Sequence, residues 1–250
     1  MNKNILIIGS SAGIGYGLVL KYLADGYSVY AVSRNIDSLI ELKPTSSNLN
    51  IIQADITNNI DQVEIIKRMS TVGNFDIINN AAYGSPMPFS KTNIEETKKH
   101  FETNVFAPLY LIQNLLAQSK INKVLNISSG AAEFPLQSLL SYCTSKAAIH
   151  HAMKCLNLEY PNTKFANLRP GMVDTPLQDR WRDVDESVFP NGNFYTKTKE
   201  DKKLISVNTV ADYTFWVMNQ PLDLFVQDWN INNTEHHEHW LRNCSLFDKS

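Results

Sequence analysis

Cysteine is too sparse in this chain to build with. Cys143, Cys155 and Cys244 form an odd set without a CxxC pair, which excludes a disulfide framework or a zinc ligand set and points to a reducing compartment. Charge of one sign is lacking as well. Against 23 basic residues stand 25 acidic ones, a net charge of −2, so no global field draws the chain to nucleic acid or an anionic membrane, and a small-molecule ligand is expected. No uncharged apolar run approaches the roughly 20 residues that cross a bilayer. The first strand is expected from about residue 4, which leaves no room for a leader, so a cytoplasmic location without a membrane partner is expected. Internal repeats and low-complexity stretches are also missing.

What the chain has is alternation. Short runs rich in branched apolar residues recur at Ile5 to Ile8, Ser28 to Val32, Leu49 to Ala54, Phe75 to Ile78, Val124 to Ile127, Phe165 to Leu168 and Leu224 to Val226, and each reads as a buried strand. Segments of helical period lie between them. In the first, Ile14, Leu18 and Tyr22 share a face with Gly15, Val19 and Leu23, and Gly26 supplies the stop. This alternation predicts an α/β fold, with a doubly wound, mainly parallel seven-stranded sheet and helices on both faces. A chain of 250 residues that is 43% hydrophobic can bury its core as one domain over 1–250.

Two helical segments are longer, Thr92 to Ser119 and Leu139 to Tyr160. Both carry apolar residues on more than one face, as Phe106, Leu109, Leu111 and Leu115 do in the first, which implies burial beyond one sheet face. From Gln178 to Ser206 the pattern lapses into charged, Pro, Gly and aromatic residues. With Trp181, Phe189, Phe194 and Tyr195 it is too aromatic for a linker and reads as a substrate lid. The tail, about 231–250, holds Glu235, His236, His237, Glu238, His239 and Trp240. Dense local histidines define no coordination geometry, so no metal is assigned, and the tail is expected to pack on the domain or a neighbouring subunit.

The first strand ends in Gly9, Ser10, Ser11, Ala12, Gly13, Ile14 and Gly15, and a helix begins within that run. Glycines let the backbone turn tightly and approach a pyrophosphate, whose charge then sits at the positive helix end among free amides. After the second strand come Ser33, Arg34 and Asn35, where an NAD-selective site would present an acidic side chain to the ribose. Arg34 instead suits the 2′-phosphate of NADP(H), with NAD(H) as the lesser possibility. Asp55, followed by Ile56, ends the third strand and could accept from an adenine amino group, or cap the next helix.

Tyr142 and Lys146 stand at i and i+4 on one helix face. An ammonium beside a phenol stabilises the phenolate and moves its pKa toward the range of an acid or base working near neutrality. Here the chain resembles the short-chain dehydrogenase/reductase family over residues 4 to 230. The family's glycine loop matches Gly9, Gly13 and Gly15, and its NNAG segment matches Asn79, Asn80 and Ala81 with Ala82 replacing the glycine. Its catalytic asparagine falls on Asn104, its serine on Ser129 thirteen positions before Tyr142, and its PG segment on Pro170 and Gly171, followed by Val173 and Thr175.

The resemblance implies a Rossmann fold and assigns roles. Tyr142 would donate a proton to a carbonyl oxygen during hydride transfer from NADPH, with Ser129 holding that oxygen. Lys146 would bind the nicotinamide ribose and depress the Tyr142 pKa, and Asn104 would hold a relay water. Asn80, Ala81, Ala82, Val173 and Thr175 would line the coenzyme. Ser128 is a rival to Ser129. Ala12 lacks the basic side chain of many NADP-selective members, so Arg34, aided by Ser10, Ser33 and Asn35, must hold the phosphate. Residues 169–178 resemble those of small reductases related to sepiapterin and benzil reductases. The reading is therefore an NADPH-dependent reductase of a ketone, aldehyde or diketone, forming a homodimer or homotetramer. An NAD-using alcohol or polyol dehydrogenase and an NADPH-binding regulator with little turnover are the alternatives.

Overall fold

The computed structural model describes residues 3–241 and 246–247, so Cys244 lies outside the described residues. Seven strands, β1 (Asn4–Ile8), β2 (Ser28–Ser33), β3 (Leu49–Gln53), β4 (Asn74–Asn79), β5 (Lys120–Ile127), β6 (Lys164–Arg169) and β7 (Asp228–Asn230), pair side by side in the order 3-2-1-4-5-6-7. Every pairing is parallel. The expected doubly wound fold is the one observed.

Why the strands read as unbroken apolar runs is visible in β1. Ile5 and Ile7 enter the core on one face of the sheet, Leu6 and Ile8 the core on the other, and none is more than 1% exposed. Burying such a side chain contributes about 1.5–3 kcal/mol, so a polar residue on either face would be costly. On the first face pack α1 (Gly13–Ala24) and α9 (Val207–Met218), through Leu18, Val19 and Tyr22 against Tyr213 and Val217. On the other lie α3 (Asn59–Ser70), α5 (Ala107–Gln118) and α6 (Leu140–Glu159), through Ile65, Met69, Leu111, Leu115, Ile149 and Met153. Strand order reverses at β1, which opens a crevice beyond the carboxyl ends of β1 and β4.

The structure corrects four expectations. The last strand is not Leu224 to Val226, because Leu222–Phe225 forms a short helix, α10, after Pro221, and β7 follows at Asp228–Asn230. The segment 92–119 is not one helix. α4 (Ile94–Phe101) runs into a single wider π turn at Glu102–Phe106 before α5 begins at Ala107. β3 stops at Gln53, so Asp55 lies in the loop beyond it, and Asn58 rather than Asp55 caps α3 by accepting from Ile60 and Asp61. Finally, the segment 178–206, where periodicity lapses in the sequence, is just under half helical. It includes most of α7 (Pro176–Arg182) and all of α8 (Gly192–Glu200), with α2 (Asp37–Leu42) lying earlier in the chain. Its Trp181, Phe189 and Tyr195 are buried against Leu139 and Tyr142. In the tail, α11 (His237–Trp240) packs on the domain itself, with Trp240 4.7 Å from Tyr213. His236 and His239 lie against Trp216.

Candidate active site

The loops leaving the carboxyl ends of six strands converge on one cleft of about 650 Å³. The turn after β1 carries its floor. Gly9 has φ +83°, and a Cβ there would come 2.7 Å from the Ala81 backbone. Gly15 sits closer still, since a Cβ on it would meet the Gly9 carbonyl oxygen at 1.9 Å. α1 starts at Gly13 behind Ala12, which has no side chain able to cap the free amides of the first turn. Those free amides, in a tight turn that only glycine at Gly9 and Gly15 allows, suit a pyrophosphate, so the residues present fit a dinucleotide.

Among the sequence candidates, Gly9, Ser11, Gly13 and Ile14 line the cleft from the first loop, and Ser33, Arg34, Asp55 and Ile56 from the next two. Asn80, Ala81 and Ala82 follow β4, and Pro170, Gly171, Val173 and Thr175 follow β6. Four others stand back. Ser10 is fully buried with its hydroxyl donating to the Val32 carbonyl, and Asn35 turns its carbonyl oxygen to the Asp37 amide. The Ser10 hydroxyl is thereby committed, whereas the Asn35 bond uses only the carbonyl oxygen and leaves the amide nitrogen able to donate to a phosphate. Gly15 acts through close packing under the loop rather than on the cleft surface. Asn104 is buried with both ends of its amide engaged, accepting from the Tyr83 amide at 2.7 Å and donating to the Tyr83 carbonyl at 2.8 Å and Ser145 Oγ at 2.9 Å. It pins the loop after β4 to α6, and the π turn places it there.

Ser33 Oγ is 2.7 Å from Ser11 Oγ, so the first two loops are tied together. Arg34, largely exposed, stands 3.7 Å from Asp55. Burial works to raise the Asp55 pKa, but bonds from Thr57 and the charge of Arg34 outweigh it and the carboxyl is held below its ordinary value.

Tyr142 and Lys146 are both buried on α6. Burial pushes the Tyr142 phenol up to about 12, opposed by the hydroxyl of Ser129. The same cause brings Lys146 down to about 8. Lys146 Nζ donates to the Ile127 carbonyl at 3.0 Å. The expected lowering of Tyr142 by Lys146 is not met in this arrangement, because desolvation dominates both groups. Ser129 rather than Ser128 meets the phenol; Ser128 turns to His150 Nδ1 at 2.8 Å. Trp181 packs edge-on against Tyr142 at 5.3 Å and donates from Nε1 to the Gly84 carbonyl.

Sequence reasoning missed the part of the wall formed by Thr103, Pro176 and Leu177. Pro176 carried a usable signal, since a proline directly after Thr175 suits the first position of a helix and α7 begins there.

The family model of the short chain dehydrogenases matches residues 3–186. A benzil reductase ((S)-benzoin forming) of Bacillus cereus is 28% identical over 227 residues, covering 84% of this chain and 91% of that protein. Among solved structures, a short-chain dehydrogenase/reductase from Saccharomyces cerevisiae superposes with a TM-score of 0.84 at 23% identity, over 95% of this chain and 99% of the other. ElxO with NADP bound gives 0.75 at 22% identity, over 92% and 97%.

Proposed function

The chain belongs to the short-chain dehydrogenase/reductase family, and from that premise we propose that it is an NADP(H)-dependent reductase of small ketones, aldehydes or diketones. One observation carries the reading. Ser129, Tyr142 and Lys146 gather in the same cleft as the glycine loop and Arg34, so a proton donor and a dinucleotide cradle share one space. The likeness to benzil reductase supports a carbonyl substrate.

A bound reduced nicotinamide coenzyme would supply the hydride. The α1 amides and Gly9 would hold its pyrophosphate, Arg34 its 2′-phosphate, Asp55 its adenine end, and Val173 with Thr175 its carboxamide end. Tyr142, whose phenol keeps its proton at neutral pH, would donate that proton to the carbonyl oxygen, and Ser129 would steady the same oxygen. Lys146 would hold the ribose, its ammonium freed from or shared with the Ile127 carbonyl. Asn104 would fix the loop at Tyr83 and, with its amide engaged, leave a relay water to backbone or neighbouring groups.

The direct experiment is a panel of aliphatic, aromatic and α-dicarbonyl compounds followed by loss of NADPH absorbance. No turnover on any of them would transfer the chain to a coenzyme-binding role without catalysis. Arg34→Ala is expected to weaken NADPH about tenfold or more, the scale of a charged hydrogen bond of roughly 1.5–3 kcal/mol, while NADH affinity changes less than twofold. Fluorescence titration with both coenzymes reads this, and equal losses for the two would refute the assignment.

The segment 178–206 is proposed to close over the substrate, because its Trp181 and Tyr195 form part of the aromatic wall around Tyr142. Amides in this stretch should exchange more slowly when coenzyme and substrate are both present. Exchange unaltered by the two ligands would remove the lid from the reading.

A further inference from the structure

Three residues of α6 at successive turns, Tyr142, Lys146 and His150, form one buried stripe. They meet three consecutive residues at the end of β5. Tyr142 faces Ser129, Lys146 bonds the Ile127 carbonyl at 3.0 Å, and His150 Nδ1 lies 2.8 Å from Ser128 Oγ. The other nitrogen of His150, Nε2, is 3.1 Å from Asp228 Oδ1 on β7. Asp228 is itself held by Lys154 at 2.6 Å and by Asn167 Nδ2 at 3.3 Å. Both ring nitrogens are therefore committed, Nδ1 to the Ser128 hydroxyl and Nε2 to the Asp228 carboxylate.

We propose that His150, clamped between Ser128 and Asp228, is a positioning residue for proton transfer at Tyr142. The inference rests on the reductase reading above. Apolar contacts such as those of Ile149 and Met153 hold α6 against the sheet but are non-directional, so they tolerate sliding along the helix axis. Hydrogen bonds are directional. Other directional bonds also place α6, from Lys146 to the Ile127 carbonyl, between Asn157 and Phe165 and from Asn167 to the His150 carbonyl, but the His150 pair is the one that ties it to Ser128, and Ser129 is the next residue, so the meeting of Tyr142 with Ser129 depends on it. A displacement of about 1 Å at a reacting group can cost on the order of 10²-fold in rate. Glu133 also comes near the His150–Asp228 pair, but it is paired with Arg169, and Asp228 with Lys154. Two cations already neutralise these carboxylates, so the cluster is a hydrogen-bonded clamp and not a cation site.

The test compares Ser128→Ala and His150→Ala with His151→Ala, a change at the exposed neighbour. Each of the first two should lower kcat about tenfold or more, with KM and the NADPH dissociation constant within twofold, and His151→Ala should match the parent. The double variant should lose no more than His150→Ala alone, because that change already removes the bond to Ser128. His150→Asn, which keeps a polar atom near the Nδ1 position, should recover most of the rate. A second readout needs no turnover. The ring-carbon NMR signal of Tyr142 with NADPH bound, identified by its loss in Tyr142→Phe, should move in Ser128→Ala and His150→Ala and stay in place in His151→Ala. An unmoved signal, kcat within twofold of the parent in Ser128→Ala, or losses that track melting temperature and coenzyme affinity would each overturn the proposal. If His150→Ala does not fold, Ser128→Ala decides alone. If the parent reduces no carbonyl, the reductase reading falls while the Tyr142 signal still decides the clamp.

Discussion

Tyr142→Phe is expected to lower kcat about 10²- to 10⁴-fold, the range of a positioned general acid, while NADPH affinity stays within twofold. Only the hydroxyl is removed. The ring keeps its edge-on contact with Trp181 and its place beside Gly84, so the cleft retains its shape. Burial, which pushes the phenol up to about 12, keeps the proton in place near neutrality, as donation to a carbonyl oxygen requires. Steady-state rates on the best substrate and coenzyme titration separate the two effects. Residual turnover above about a tenth of the parent would end the assignment of Tyr142 as the acid.

Lys146→Met should do the opposite to stability of what it does to activity. Turnover should vanish with coenzyme affinity falling at least about tenfold, because the ribose contact goes, yet the folded state should become more stable at pH 7. Lys146 is 3% exposed, and its folded pKa of about 8 lies below the ordinary 10.5. The unfolded chain therefore binds the proton more readily than the folded one. The cost of burying the ammonium is full below about pH 8, shrinks as the pH rises toward 10.5 and is absent above it. At roughly 1.4 kcal/mol for each pH unit the penalty is at most about 3.5 kcal/mol, and loss of the Ile127 bond offsets about 1 kcal/mol of what methionine recovers. Denaturant melts should show the variant ahead by about 1–2 kcal/mol at pH 7 and by less at pH 9.5. A variant that is less stable at pH 7, or an advantage that grows with pH, would contradict this origin.

Most of the sheet was legible because strands buried on both faces cannot hide. β7 could, since Asp228, Trp229 and Asn230 contain one core side chain and no run to detect, whereas Leu222 to Phe225 after Pro221 offered a stronger apolar signal that belongs to a helix. The π turn at Glu102–Phe106 has no compositional mark. It is recognisable only from where the Asn104 amide bonds, which depends on Tyr83 and Ser145, distant in sequence. The glycine loop and the Tyr142–Lys146 pair were readable because their chemistry is local in the chain. Which of Ser10 and Ser11 faces the cleft was not, because strand ends alternate sides and the partners lie on other elements, whereas at Ser128 and Ser129 the spacing to Tyr142 had pointed to Ser129. The aromatic stretch after Gln178 announced contact with the cleft, but periodicity did not reveal that its rings pack together around Trp181.

The four tryptophans divide into two optical compartments. Trp181 stands alone in the cleft wall, whereas Trp216, Trp229 and Trp240 cluster with the rings of Tyr213, His236 and His239 at the tail. Reduced nicotinamide absorbs where indole emits, so occupancy of the cleft will be reported chiefly by Trp181. Trp216, Trp229 and Trp240 sit on the elements that meet the tail, so rearrangement there will be reported chiefly by those three. A single Trp181→Phe change thus separates two signals that ordinary emission would blend, and intrinsic light from the molecule can follow its cleft and its tail as independent channels.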